Sequence, residues 1–75
     1  MMRPEEVQKI LENAFPGAWV SVDDMTGTGD HFEITVTSQA FEGKPLIEQH
    51  QAVHAALAGE MDKRIHAVKI KTRVS

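Results

Sequence analysis

Residues 31–74, HFEITVTSQAFEGKPLIEQHQAVHAALAGEMDKRIHAVKIKTRV, contain an alternating run, a helical run and a second alternating run. In the first run Phe32, Ile34 and Val36 fall on one side and His31, Glu33, Thr35 and Thr37 on the other, the period of a half-buried strand. Pro45 opens a helix that extends to about Gly59 or Met61. Its expected apolar stripe is Leu46, Val53, Leu57 and Met61, flanked by Ile47 and Ala56. In the last run Val68, Ile70, Thr72 and Val74 face one way and Lys69, Lys71 and Arg73 the other. A strand, a helix and a strand joined in this order form a right-handed crossover unit, so the last strand is expected to run parallel to the first.

Upstream, PEEVQKILENAF places Val7, Ile10, Leu11 and Ala14 at helical spacing. Pro4 suits a first helical turn, Glu5 and Glu6 complement the dipole there, and Pro16-Gly17 ends the helix. In AWVSVDD, Val20 and Val22 alternate with Trp19, Ser21 and Asp23, and the glycine-rich TGTGD turns this strand into the next as a hairpin. The order is α-β-β-α-β. It implies one α+β domain over residues 1–75, with a three-stranded mixed sheet and both helices on one face. The other face is expected to carry Trp19, Ser21, Glu33, Thr35, Lys69 and Lys71, with Glu33 pairing across strands to Lys69 or Lys71.

Composition narrows the function. A chain of 75 residues, 41% hydrophobic and 25% charged, is neither a disordered tail nor large enough for two domains. No apolar run approaches the roughly 20 residues of a membrane span. The start, MMRPEEVQ, carries acids where a targeting peptide is basic and then apolar, so a cytoplasmic location is expected. Cysteine is absent, which excludes a disulfide framework, a zinc finger and a thiol nucleophile. The net charge of −3 is unevenly spread: residues 1–60 sum to −7 and residues 61–75 to +4. A basic end on an acidic body can dock a negative partner, or merely solvate one sheet face.

The four histidines, His31, His50, His54 and His66, carry the remaining chemistry. His50 and His54 form HQAVH on one helix face. Gln51 stands where a zinc protease needs the glutamate that acts as general base, so that motif is incomplete, and both are read as histidines at the core edge, His50 hydrogen-bonded and His54 similar or partly exposed. TGTGD joins strand to strand with no helix N-terminus behind it and therefore lacks the anion-binding arrangement of a phosphate loop. Asp23, Asp24 and Asp30 crowd the hairpin at spacings that fit no calcium loop and read as solvated turn residues. No Ser-His-Asp arrangement is present, and no enzymatic activity is expected. His31 and His66 each begin a strand. If those strands are parallel neighbours, about 4.8 Å apart, both imidazoles start at the same end of the sheet. Strand alternation opposes the pairing, since it sends His31 to the open face and His66 to the side of Val68 and Ile70.

The stretch HFEITVTSQAFEGK, the helix LIEQHQAVHAAL and the strand entry IHAVKIKT together resemble the BolA family over nearly the whole chain. The resemblance implies a fold like the class II KH domain. It also implies a role in iron–sulfur trafficking and iron regulation, with a monothiol glutaredoxin and glutathione as partners that share a 2Fe–2S cluster. The cluster would be held only in the complex, with no cofactor in the isolated protein. By resemblance His66, the histidine of I-H-A, matches the C-terminal cluster ligand of the family. The second ligand lies in the loop between the first two strands. In VDDMTGTGDHF its customary position has no clear match, which leaves His31 as the candidate. The chain stops at KTRVS where many relatives continue with a T-P-x-x-W-like tail, which implies fewer partner contacts there.

The chemistry agrees: histidine can replace thiolates on one iron of a cluster, and a protein without cysteine needs a partner to supply sulfur ligands. Lys63, Arg64 and Lys69 are expected to steer that partner. The free protein is expected to be a monomer, with a weak dimer as the other state. The alternative is a KH-like nucleic-acid-binding regulator of transcription or stress response acting through Lys69, Lys71 and Arg73. It lacks the G-x-x-G loop between two helices that clamps the backbone in KH domains. A third reading is a protein-interaction module that never touches metal.

Overall fold

The structure is a computed structural model and describes residues 2–61 and 63–75. Helix α1 spans Pro4–Ala14. It is followed by strand β1, Trp19–Asp24, strand β2, His31–Thr37, a single 3-10 turn at Gln39–Phe41, helix α2, Leu46–Ala56, and strand β3, Ala67–Arg73. The α-β-β-α-β order and the three strand patterns match the sequence expectation.

Local chemistry sets the element ends. Pro4 occupies the first turn of α1, and the Glu6 carboxylate turns back to accept the Arg3 amide at 3.0 Å, satisfying a donor that no helical carbonyl can reach. Between the 3-10 turn and α2, Gly43 adopts φ 78°, a left-handed conformation that a side chain would strain.

The three strands lie in the order β1-β2-β3. β1 and β2 are antiparallel, with Trp19 opposite Thr37 and Asp24 opposite Phe32. β2 and β3 are parallel, with His31 opposite Ala67 and Thr37 opposite Arg73. Phe32, Ile34 and Val36 of the central strand are fully buried. They meet Val20 of β1, Val7 and Leu11 of α1, and Val53 of α2 with Leu57 just beyond its end, in one core that also takes in Met2, Phe41 and Ile65. Both helices therefore cover the same sheet face, and the Trp19 side is left open.

The apolar stripe of α2 departs from expectation. Leu46 and Ile47 are 61% and 67% exposed, and the buried helix positions are Gln49 and Val53. Leu46 lies near the angular position of Val53 but almost two turns earlier, where the helix has run past the core, and Ile47 points about 120° away from that line. Gln49 fills the intervening place. Its amide donates to the Lys44 carbonyl at 2.8 Å and its Oε1 accepts from the Thr72 hydroxyl at 2.6 Å, joining α2 to β3. Val74 likewise lies beyond the end of β3 and is exposed.

Candidate metal centre

Parallel pairing brings the entries of β2 and β3 to one end of the sheet. There the imidazoles of His31 and His66 lie with ring centres 5.3 Å apart and planes inclined at 49°. The alternation rule does not reach His66, because the strand begins at Ala67. The amides of His66 and Ala67 both donate to the Asp30 carbonyl, at 2.7 and 3.1 Å. This bifurcated anchor sets the chain before the regular ladder starts, leaving the His66 side chain exposed beside half-buried His31.

The separation suits a shared ion. With a metal–nitrogen bond of about 2 Å and a ring centre about 1.2 Å beyond the nitrogen, two imidazoles on one tetrahedral ion have centres about 5.2 Å apart. Among the described residues, no group of three or more His, Cys, Asp or Glu side chains could hold a metal ion. Two imidazoles can supply only part of a metal's ligand shell.

Asp30 was not legible as part of this site. Its Oδ1 accepts from His31 Nδ1 at 2.7 Å and also from the Thr28 hydroxyl. Donation by Thr28 first, then by His31, holds the Asp30 carboxyl below its ordinary value. Asp24 shapes the rest of the loop: its Oδ1 accepts the Thr26 and Gly27 amides at 3.3 and 3.0 Å, and its Oδ2 the Gly29 amide at 2.8 Å. Two aspartates read as solvated turn residues thus organise the hairpin. The adjacency Asp30-His31 at a strand start was the one available signal.

The other sequence candidates lie elsewhere. His50 is half-buried and His54 exposed on α2; the inner-face side-chain hydrogen bonds of that helix are made by Gln49 rather than by His50. Lys63 is exposed near the histidine end. Arg64 pairs with Glu60 and lies 3.5 Å from Glu6, so it braces the α2–β3 connection against α1. Lys69 and Lys71 each lie 3.9 Å from Glu33, as the cross-strand pattern implied. Arg73 flanks Trp19 at the far end of the open face, in a shallow groove with Thr35, Thr37 and Lys71.

Comparison with known proteins agrees with this architecture. The family described as BolA-like protein matches residues 11–75. Protein BOLA2 of Arabidopsis thaliana is 43% identical over 72 residues, covering 95% of this chain and 76% of the relative. The acid stress protein IbaG of Escherichia coli is 35% identical over 71 residues, covering 93% of this chain and 81% of the relative. The crystal structure of a bol-like protein from Babesia bovis superposes with a TM-score of 0.85 at 31% identity, over 99% of this chain and 86% of that one. No described helix is long and apolar enough to cross a membrane. A family match from Leu11 to the last residue, on a fold shared with a solved relative, makes this chain a member of the BolA-like family.

Proposed function

We propose that this protein is a non-enzymatic adaptor in iron–sulfur trafficking and iron homeostasis, sharing a 2Fe–2S cluster with a monothiol glutaredoxin and glutathione. One observation carries the reading: two imidazoles 5.3 Å apart at an open sheet end, in a chain with no cysteine. Two histidines can replace two thiolates on one iron, and the partner's cysteine with glutathione supplies sulfur to the rest. His66 and His31 are the ligands in this account, and exposed Lys63 and Lys69 steer the partner, with Arg64 largely committed to Glu60. A reducing compartment such as the cytoplasm suits such a complex. The name of the Escherichia coli relative, an acid stress protein, supports a regulatory role under stress.

The test is to mix the purified protein with cluster-loaded monothiol glutaredoxin and glutathione and record visible circular dichroism. The wild-type protein is expected to replace the glutaredoxin spectrum with a new one, and His66→Ala to leave the glutaredoxin spectrum in place. A complex spectrum unchanged by His66→Ala would show that His66 is not a ligand.

The open sheet face supports a second reading, binding of single-stranded nucleic acid. Trp19 is 62% exposed and stands beside Lys71 and Arg73, an aromatic platform next to cations. Glu33 partly offsets Lys69 and Lys71, which weakens the case. Quenching of Trp19 fluorescence by a short oligonucleotide, reversed by salt and lost in Lys71→Ala/Arg73→Ala, is the expected result. Salt-independent binding, or binding that survives both substitutions, counts against it.

A further inference from the structure

Strand pairing brings the two chain segments together, and Asp30 hydrogen-bonds to both histidines. Its carboxylate receives His31 Nδ1 at 2.7 Å, and its carbonyl receives the His66 amide at 2.7 Å. Resting on the reading of these histidines as metal ligands, we propose that Asp30 is the positioning residue of the site. Its carboxylate holds His31 in the tautomer that leaves Nε2 free for a metal, and its carbonyl keeps His66 alongside.

The argument starts from donor and acceptor capacity. An aspartate carboxylate only accepts, so the proton between it and His31 resides on Nδ1. The bond made by one ring nitrogen decides the state of the other, so in the neutral ring Nε2 keeps its lone pair. A carboxylate behind a ligating imidazole fixes the ring orientation and raises the basicity of the ligand, an arrangement common in metal sites.

The carboxylate is itself held. Thr28 donates to the same Oδ1, and the Thr28 hydroxyl lies in hydrogen-bond contact with that of Thr26. Asp24 fixes the loop that carries both threonines through three main-chain amides. The glycine-rich hairpin is therefore the support of the site. It makes its hydrogen bond to His31 through a side chain and its hydrogen bond to His66 through the backbone. The two ligands should respond differently when the Asp30 side chain is removed, because the carbonyl that anchors His66 survives any substitution.

The experiment uses the full chain as Asp30→Ala and Asp30→Asn beside the wild type, with His31→Ala and His66→Ala as controls. Long-range proton–nitrogen NMR of the metal-free protein reads the tautomer of each histidine, and Co²⁺ titration followed by absorbance reads the affinity. Wild-type His31 is expected to carry its proton on Nδ1. Asp30→Ala is expected to shift it towards the Nε2-protonated form without changing His66, and to weaken Co²⁺ binding about 10–100-fold. Asp30→Asn, which keeps an acceptor oxygen, should retain most of the Nδ1 tautomer and lose less affinity. An unchanged tautomer in Asp30→Ala, or a changed tautomer with unchanged Co²⁺ affinity, overturns the positioning role. Co²⁺ affinity insensitive to both His31→Ala and His66→Ala overturns the underlying ligand reading instead; the tautomer result then rules alone on whether Asp30 locks His31.

Discussion

At the residue scale, the protonation of Asp30 reports on the loop that supports the histidine pair. Its carboxyl is lowered first by the Thr28 hydroxyl and then by His31. A lowered value in the folded state means that these contacts add stability above the unfolded aspartate pKa of about 3.9 and lose it as pH falls through the folded value. Carbonyl-carbon NMR is expected to place the Asp30 midpoint below that of an unfolded peptide, and Thr28→Val to bring it back towards the ordinary value; a wild-type midpoint at or above the ordinary value would contradict the contacts. His66 was legible through the I-H-A resemblance and His31 through its place at a strand entry. Asp30 was not. Acids around glycines read as solvated turn residues, and which of them curls back onto a ring depends on a loop path that alternation does not encode.

At the element scale, strand faces were legible because a side-chain period of two is rigid, and the right-handed crossover made β3 parallel to β2. Helix α2 was harder to read. Hydrophobicity favoured Leu46 and Ile47, whereas the structure buries Gln49, because a helix face is useful only where it lies over the sheet. Gln49→Ala leaves the Lys44 carbonyl and the Thr72 hydroxyl without their partner and is expected to cost about 1–3 kcal/mol in urea unfolding. No measurable loss would show that water serves those groups equally well. In the hairpin, Asp24→Ala removes the acceptor of three amides, two exposed and that of Gly29 part-buried; about 1 kcal/mol is the expected cost, with faster amide exchange at Thr26, Gly27 and Gly29 as its local signature. Exchange rates equal to wild type would remove Asp24 as the organiser of the loop.

At the scale of the whole molecule, one core serves every element, and the fully buried Phe32 is among its largest side chains. Phe32→Ala is expected to cost about 3–5 kcal/mol, a large share of the stability of a domain this small, and to broaden or abolish the thermal transition in far-ultraviolet circular dichroism. A well-formed transition near the wild-type midpoint would contradict a single shared core. The α-β-β-α-β order led directly to this architecture, but a fold hosts many functions and does not assign one. What the architecture adds is placement: the parallel pair β2–β3 brings His31 and His66 together at one sheet end, with Trp19, Lys71 and Arg73 at the other. The central claim, that the two imidazoles form half of a shared metal site, is tested most directly by pulsed electron paramagnetic resonance on the reduced cluster complex with glutaredoxin, using this protein labelled with ¹⁵N-histidine. The account predicts two histidine nitrogen couplings in the wild type, one in either His31→Ala or His66→Ala, and none in the double variant. Absence of any histidine nitrogen coupling in the wild-type complex would contradict it.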